Sequence, residues 1–176
     1  VAALALCARS RKFDFPSFCS HLANLRYIDG KVNYLNRKHY FTVWINYNVR
    51  AGIISDIQGP VPPFTAFQKI NVSYMSLHWR SYHMLSVHPE WVKGIREMES
   101  DVNEKTSRYI PKSFISETAL MQKVVRNDDI IAIVTNNRGL DISHISIAEW
   151  YKNSTLHFLN ASSIHHRVVS EPMTLF

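Results

Sequence analysis

The sequence predicts an α+β fold in which helices come first and an antiparallel sheet follows. Two observations carry this. Apolar residues recur at helical spacing along most of the chain up to Lys123. From Asn127 onward, β-branched and aromatic runs alternate with short gaps, the pattern of an antiparallel meander. A length of 176 residues suits one domain with one core, helix-rich over 1–126 and sheet-rich over 127–176.

The elements follow in order. Val1 to Ala8 is an apolar run too short to span a bilayer. It reads as the back half of a buried helix whose front half precedes Val1, so the N-terminus is expected to be truncated. Pro16 suits a first helical turn, and Phe18, Leu22 and Leu25 then recur at helical spacing until Tyr27–Gly30 breaks the pattern. A second, aromatic-rich helix is expected over His39–Arg50, with Gly52 just past its end. Gly59–Pro63 is a rigid loop. A strand is expected over Asn71–Ser76. Pro89 opens a helix with Val92, Ile95, Met98 and Val102 on one stripe and Lys93, Arg96, Glu97 and Glu99 outside it. A short helix covers Ser113–Lys123. Strands are expected over Asp129–Thr135, His144–Tyr151, Leu156–Ala161 and Arg167–Ser170.

Composition excludes several classes. Hydrophobic residues make up 46% and charged residues 19%, which is globular and not disordered. Only 5 glycines occur, and no glycine-rich phosphate loop is among them. The net charge of +6 reads either as solubility with a mildly basic surface or as suiting an anionic partner such as cell-wall polymer, nucleic acid or membrane headgroups. The basic residues are scattered and form no block, so no nucleic acid is expected as partner. No segment is long and apolar enough to cross a membrane. Cys7 and Cys19 make neither a disulfide framework nor a zinc site, and both read as buried structural thiols. His165-His166 lack a third ligand at metal-binding spacing, and no metal or cofactor is expected. Asp128 and Asp129 precede a strand, with nothing to make them converge as a catalytic pair.

The candidate chemistry lies in the hairpin. Alternation puts His144 on one face with the small Ser146 and Ala148, and Asn160 on one face with Phe158 and Ser162. A histidine beside a carboxamide is the base-and-orienter pair that a thiol nucleophile needs. Direct opposition of the two requires a hairpin centred on Lys152 with an odd loop. A two-residue Asn153-Ser154 turn would put them on opposite faces. A satisfied structural histidine is the competing reading. No residue of the sequence reads as the nucleophile.

Six segments carry a family resemblance along nearly the whole chain: Leu25-Arg-Tyr-Ile-Asp-Gly-Lys31, His39-Tyr-Phe-Thr-Val-Trp-Ile45, Tyr74-Met-Ser-Leu-His78, Asp128-Asp-Ile-Ile-Ala132, Gly139-Leu-Asp-Ile-Ser-His-Ile-Ser-Ile-Ala148 and Leu156-His-Phe-Leu-Asn-Ala-Ser162. In these the chain resembles the N-acetylmuramoyl-L-alanine amidase-like family, a relative of the NlpC-type, papain-like cysteine peptidases of bacterial cell walls. The resemblance implies a papain-like α+β fold and a Cys–His–polar triad. The family histidine falls on His144 and the third polar residue on Asn160, where relatives often carry a histidine. The family nucleophile, in an Asp-Cys pair at a helix N-terminus, is expected before Val1, and Cys7 matches an interior helical position. The implied substrate is peptidoglycan or its muropeptide fragments, cut at the muramoyl–L-alanine bond or within the stem peptide. The implied setting is the bacterial envelope, periplasmic or secreted.

Tyr40 and Trp44 are candidates for stacking on a sugar or peptide, against core packing. Asp141 and Ser143 are candidate substrate contacts, against a plain loop, and Ser76 and His78 are candidate cleft residues. The alternative function is a catalytically inactive wall-binding relative of the same fold.

Overall fold

A computed structural model describes residues 14–60 and 62–173. The run from Val1 to Ala8, with Cys7, lies outside them. The chain divides into two compact units. The first holds the described residues up to Asp56 together with Asn71–Asn103; the second holds Ile57–Ile70 and the described residues from Glu104 onward.

The first unit is helical. Helix α1 (Phe15–Arg26) starts where expected, because Asp14 caps it by accepting from the Ser17 N–H at 2.7 Å, with Pro16 in the first turn. Only Leu25 of this helix is buried. Cys19 is exposed, which corrects the buried thiol expected there: it lies off the stripe that α1 presents to the core. Helix α2 (Phe41–Arg50) ends at Ala51, and Gly52 takes φ +67 just beyond. Two short helices, α3 (Tyr74–Leu77) and α4 (His83–Val87), precede α5 (Val92–Val102).

The α5 stripe is as expected, with Val92, Ile95, Met98 and Val102 all buried. Glu99 is buried as well, at 3% exposure, where an exposed position was expected. It is drawn inward by two donors, described below. The expected strand over 71–76 is also corrected. The Val72 N–H and C=O are taken by the Asn103 side chain at 2.7 and 3.0 Å, so no ladder forms, and the next residues turn into α3.

The second unit carries the sheets. Strands β1 (Ala66–Lys69) and β2 (Thr106–Tyr109) form an antiparallel pair that the sequence pattern did not announce. After helix α6 (Thr118–Val124), strands β3 (Ile130–Val134), β4 (Ile142–Trp150), β5 (Leu156–Ser162) and β6 (Arg167–Pro172) follow in a four-stranded antiparallel meander, in chain order. This is the predicted sheet, and the protein is α+β. Its core packs Ala148, Leu156 and Phe158 with Met121 and Val125 around α6 and with Met173. Burying the Phe158 ring alone stabilises by about 1.5–3 kcal/mol.

Candidate active site

One face of the β4–β5 hairpin changes character along its length. Near the loop it is apolar: Ala148 and Phe158 are 1% exposed. Farther along, the same face carries Ser146 and Asn160, still buried, and then His144. The alternation puts Ile145 on the other face, where it is 45% exposed. On β3, Ile133 stands opposite His144 and Ile131 opposite Ser146, and both isoleucines pack on the core. His144 is therefore paired with Ile133 of β3 and shares its face of β4 with the small Ser146.

The hairpin register differs from both considered alternatives. The ladder runs from Ile147–Leu159 to Trp150–Leu156, which centres it on Asn153. The Tyr151 N–H donates to Thr155 O at 3.0 Å and the Ser154 N–H to Tyr151 O at 2.9 Å, closing a three-residue loop, Lys152-Asn153-Ser154. Ser154 takes the left-handed conformation (φ 62) that such a loop requires at its third residue. Asn153 Oδ1 holds the loop by accepting from the Thr155 hydroxyl at 2.6 Å. The odd loop keeps His144 and Asn160 on one face. The ladder ends at Ile147–Leu159, so Ser146, His144 and Asn160 lie beyond its last pair; extending the same register would set Asn160 level with Ser146 and diagonal to His144, not directly opposite it. Diagonal neighbours lie about 7–8 Å apart, within reach of long side chains.

Local irregularities surround the histidine. The β3–β4 register shifts between Ile133 and Val134, leaving Ser143 as the extra residue of a bulge next to His144. Ser143 is exposed, and its hydroxyl donates to Ile133 O at 3.1 Å. Asp141 is 3% exposed. Its Oδ1 accepts from the Ile142 N–H at 2.9 Å, and its carbonyl accepts from Gln68 Nε2 at 3.3 Å, tying the start of β4 to β1. Both side chains thus brace the strand end that presents His144. The Ser146 hydroxyl is buried and has no hydrogen bond among the described residues.

Asn160 was expected to be a polar residue of the site; its own anchor was not foreseen. Its Nδ2 donates to Glu171 Oε2 on β6 at 3.2 Å, and Glu171 Oε1 lies 3.6 Å from His165 Nε2. Sequence spacing gave no sign of Glu171, because its proximity comes from the β5–β6 register, in which it stands opposite Phe158.

The remaining candidates belong to the first unit. Tyr40 is the N-cap residue of α2, 5% exposed, and not a member of a shared helical face with Trp44. Its hydroxyl donates to Glu99 Oε1 at 2.7 Å and accepts from the Met75 N–H at 2.9 Å. Burial, with the Glu99 carboxylate beside it, holds that hydroxyl far above the usual tyrosine range. The Ser76 N–H donates to the same Glu99 oxygen at 3.1 Å. Trp44 is half-buried and stacks on Phe41 with ring centres 5.5 Å apart. His78 is exposed and stacks on Tyr74. Among the described residues no cluster of histidine, cysteine and carboxylate side chains is arranged to hold a metal ion, and no helix is long and apolar enough to cross a membrane.

The chain is similar to known proteins along its length. The family model described as AmiA-like, N-acetylmuramoyl-L-alanine amidase-like, matches residues 1–176. A crystal structure from Bacteroides fragilis, named provisionally as a xylanase, is 36% identical with a TM-score of 0.87, covering 99% of this chain and 75% of that one. An N-acetylmuramoyl-L-alanine amidase from Bacteroides uniformis is 34% identical with a TM-score of 0.84, covering 93% and 68%. A Legionella pneumophila protein is 27% identical with a TM-score of 0.59, covering 91% and 62%. No curated protein matches the chain.

Proposed function

The chain belongs to the N-acetylmuramoyl-L-alanine amidase-like family, and from that premise we propose that it is a cysteine-dependent hydrolase of peptidoglycan amide bonds. His144 is the general base and acid, and Asn160 is the residue that orients it. The observation that carries this reading is the shared face: both residues stand on adjacent strands of one sheet, on the side where Ser146 and Asn160 are buried and His144 is half-buried. The nucleophile in this reading is a thiol outside the described residues. The antiparallel meander that carries the histidine supports a papain-like fold of the NlpC type, and the substrate supports a site of action in the bacterial envelope.

In this mechanism His144 takes the thiol proton. The thiolate attacks the amide carbon, a C–S bond forms, and the carbonyl oxygen carries the negative charge. Collapse breaks the C–N bond while the imidazolium gives its proton to the leaving amine. Water then attacks the thioester with His144 as base, releasing a carboxylic acid and restoring the thiol. A neutral carboxamide suffices as orienter, because a thiolate–imidazolium pair needs less support than an alkoxide would. Ser143, exposed beside the histidine, is the nearest candidate for substrate contact, whereas Asp141, expected to be another, is buried and braces the strand end. In the first unit, Trp44, half-buried, is the candidate for stacking, whereas Tyr40 and Ser76 are engaged with buried Glu99.

The test is wall digestion by the full-length protein. His144→Ala is expected to stop release of soluble muropeptides from sacculi while leaving the melting temperature near that of the parent. A variant that digests at the parent rate overturns the assignment. Parent protein that binds sacculi but releases nothing supports the inactive wall-binding reading instead.

A further inference from the structure

The structure assigns Glu171 as the positioning residue that sets which way the Asn160 carboxamide is turned, and through it the tautomer of His144. The inference rests on the proposed roles of those two residues. A primary carboxamide is nearly symmetric in shape, and its two ends differ only in chemistry: the oxygen accepts and the nitrogen donates. An asparagine that orients a histidine must offer the oxygen, because only an acceptor can hold the imidazole N–H and leave the other ring nitrogen free to take a proton. Something must therefore prevent the carboxamide from turning over.

Asn160 sits on β5, between β4 and β6. On the β6 side its Nδ2 donates to Glu171 Oε2 at 3.2 Å, with a longer contact to Phe158 O at 3.5 Å. An ionised carboxylate and a carbonyl are both acceptors only. Turning the amide over would set its oxygen against both, inside a site where Asn160 is 6% exposed and water cannot compensate. With the nitrogen engaged by β6, Oδ1 is the end of the amide left to serve His144 on the neighbouring strand β4. Glu171 is itself held. It lies opposite Phe158 in the ladder, its side chain is 30% exposed, and its second oxygen is 3.6 Å from His165 in the β5–β6 turn.

The experiment is a double-mutant cycle on the full-length protein, with Glu171→Gln, Asn160→Ala and both together, read as kcat and KM on muropeptides. A glutamine keeps size and packing but can present an NH2 group, so the Asn160 amide is free to turn. Glu171→Gln is expected to lower kcat on the order of tenfold with KM unchanged, and to shift the tautomer ratio of His144 seen by 15N NMR. In the Asn160→Ala background the same change is expected to have no further effect. Equal losses in both backgrounds, or an unchanged kcat in Glu171→Gln when Asn160→Ala is impaired, overturn the inference alone. Asn160→Ala at the parent rate overturns the underlying role of Asn160 instead.

Discussion

At the scale of single residues, the first unit is pinned by one buried carboxylate. Glu99 accepts from the Tyr40 hydroxyl and the Ser76 N–H through the same oxygen, so two separate segments converge on it. Tyr40→Phe removes one donor to Glu99 and leaves the Met75 N–H without its acceptor. Urea denaturation is expected to show a loss of about 2 kcal/mol. The same hydroxyl makes stability pH-dependent. The folded protein keeps the Tyr40 proton where an unfolded chain loses it, near the ordinary value of 10.0. Its stabilising contribution is whole below that value and falls as the pH rises through it. Alkaline unfolding curves of the parent are therefore expected to be steeper than those of Tyr40→Phe, and parallel curves would remove this account. None of this was legible in the sequence. Glu99 sits beside the α5 stripe, and its burial depends on Tyr40, 59 positions earlier, which no local pattern reports.

At the scale of elements, the hairpin loop decides the site. Loop length and the left-handed Ser154 fix the register, and the register fixes which side chains share a face with His144. A serine in that conformation carries a steric cost that glycine does not. Ser154→Gly is expected to raise stability by about 1 kcal/mol in thermal melts and to leave wall digestion unchanged, because the loop keeps its length. The four sheet strands were legible because β-branched alternation is local, and α5 was legible because its stripe is. The β1–β2 pair was not: each strand has only four residues, and they find each other across 36 intervening positions.

At the scale of the whole molecule, charge is the property that reaches beyond the site. A net charge of +6 favours association with an anionic wall polymer, and this attraction is screened by salt. Retention of the His144→Ala variant on sacculi is expected to weaken steadily as ionic strength rises through the physiological range. Retention indifferent to salt would assign binding to apolar contacts such as Trp44. The sequence alone determined the α+β class, the order of helices before sheet, the meander, and the face on which the histidine stands, because each follows from periodicity within a few residues. Only the tertiary structure decided that the chain divides into two compact units, that Glu99 is buried, that the hairpin is centred on Asn153, and that the Asn160 amide donates to Glu171. Those facts depend on register and on pairings between distant segments, and such pairings are settled by packing the whole chain at once.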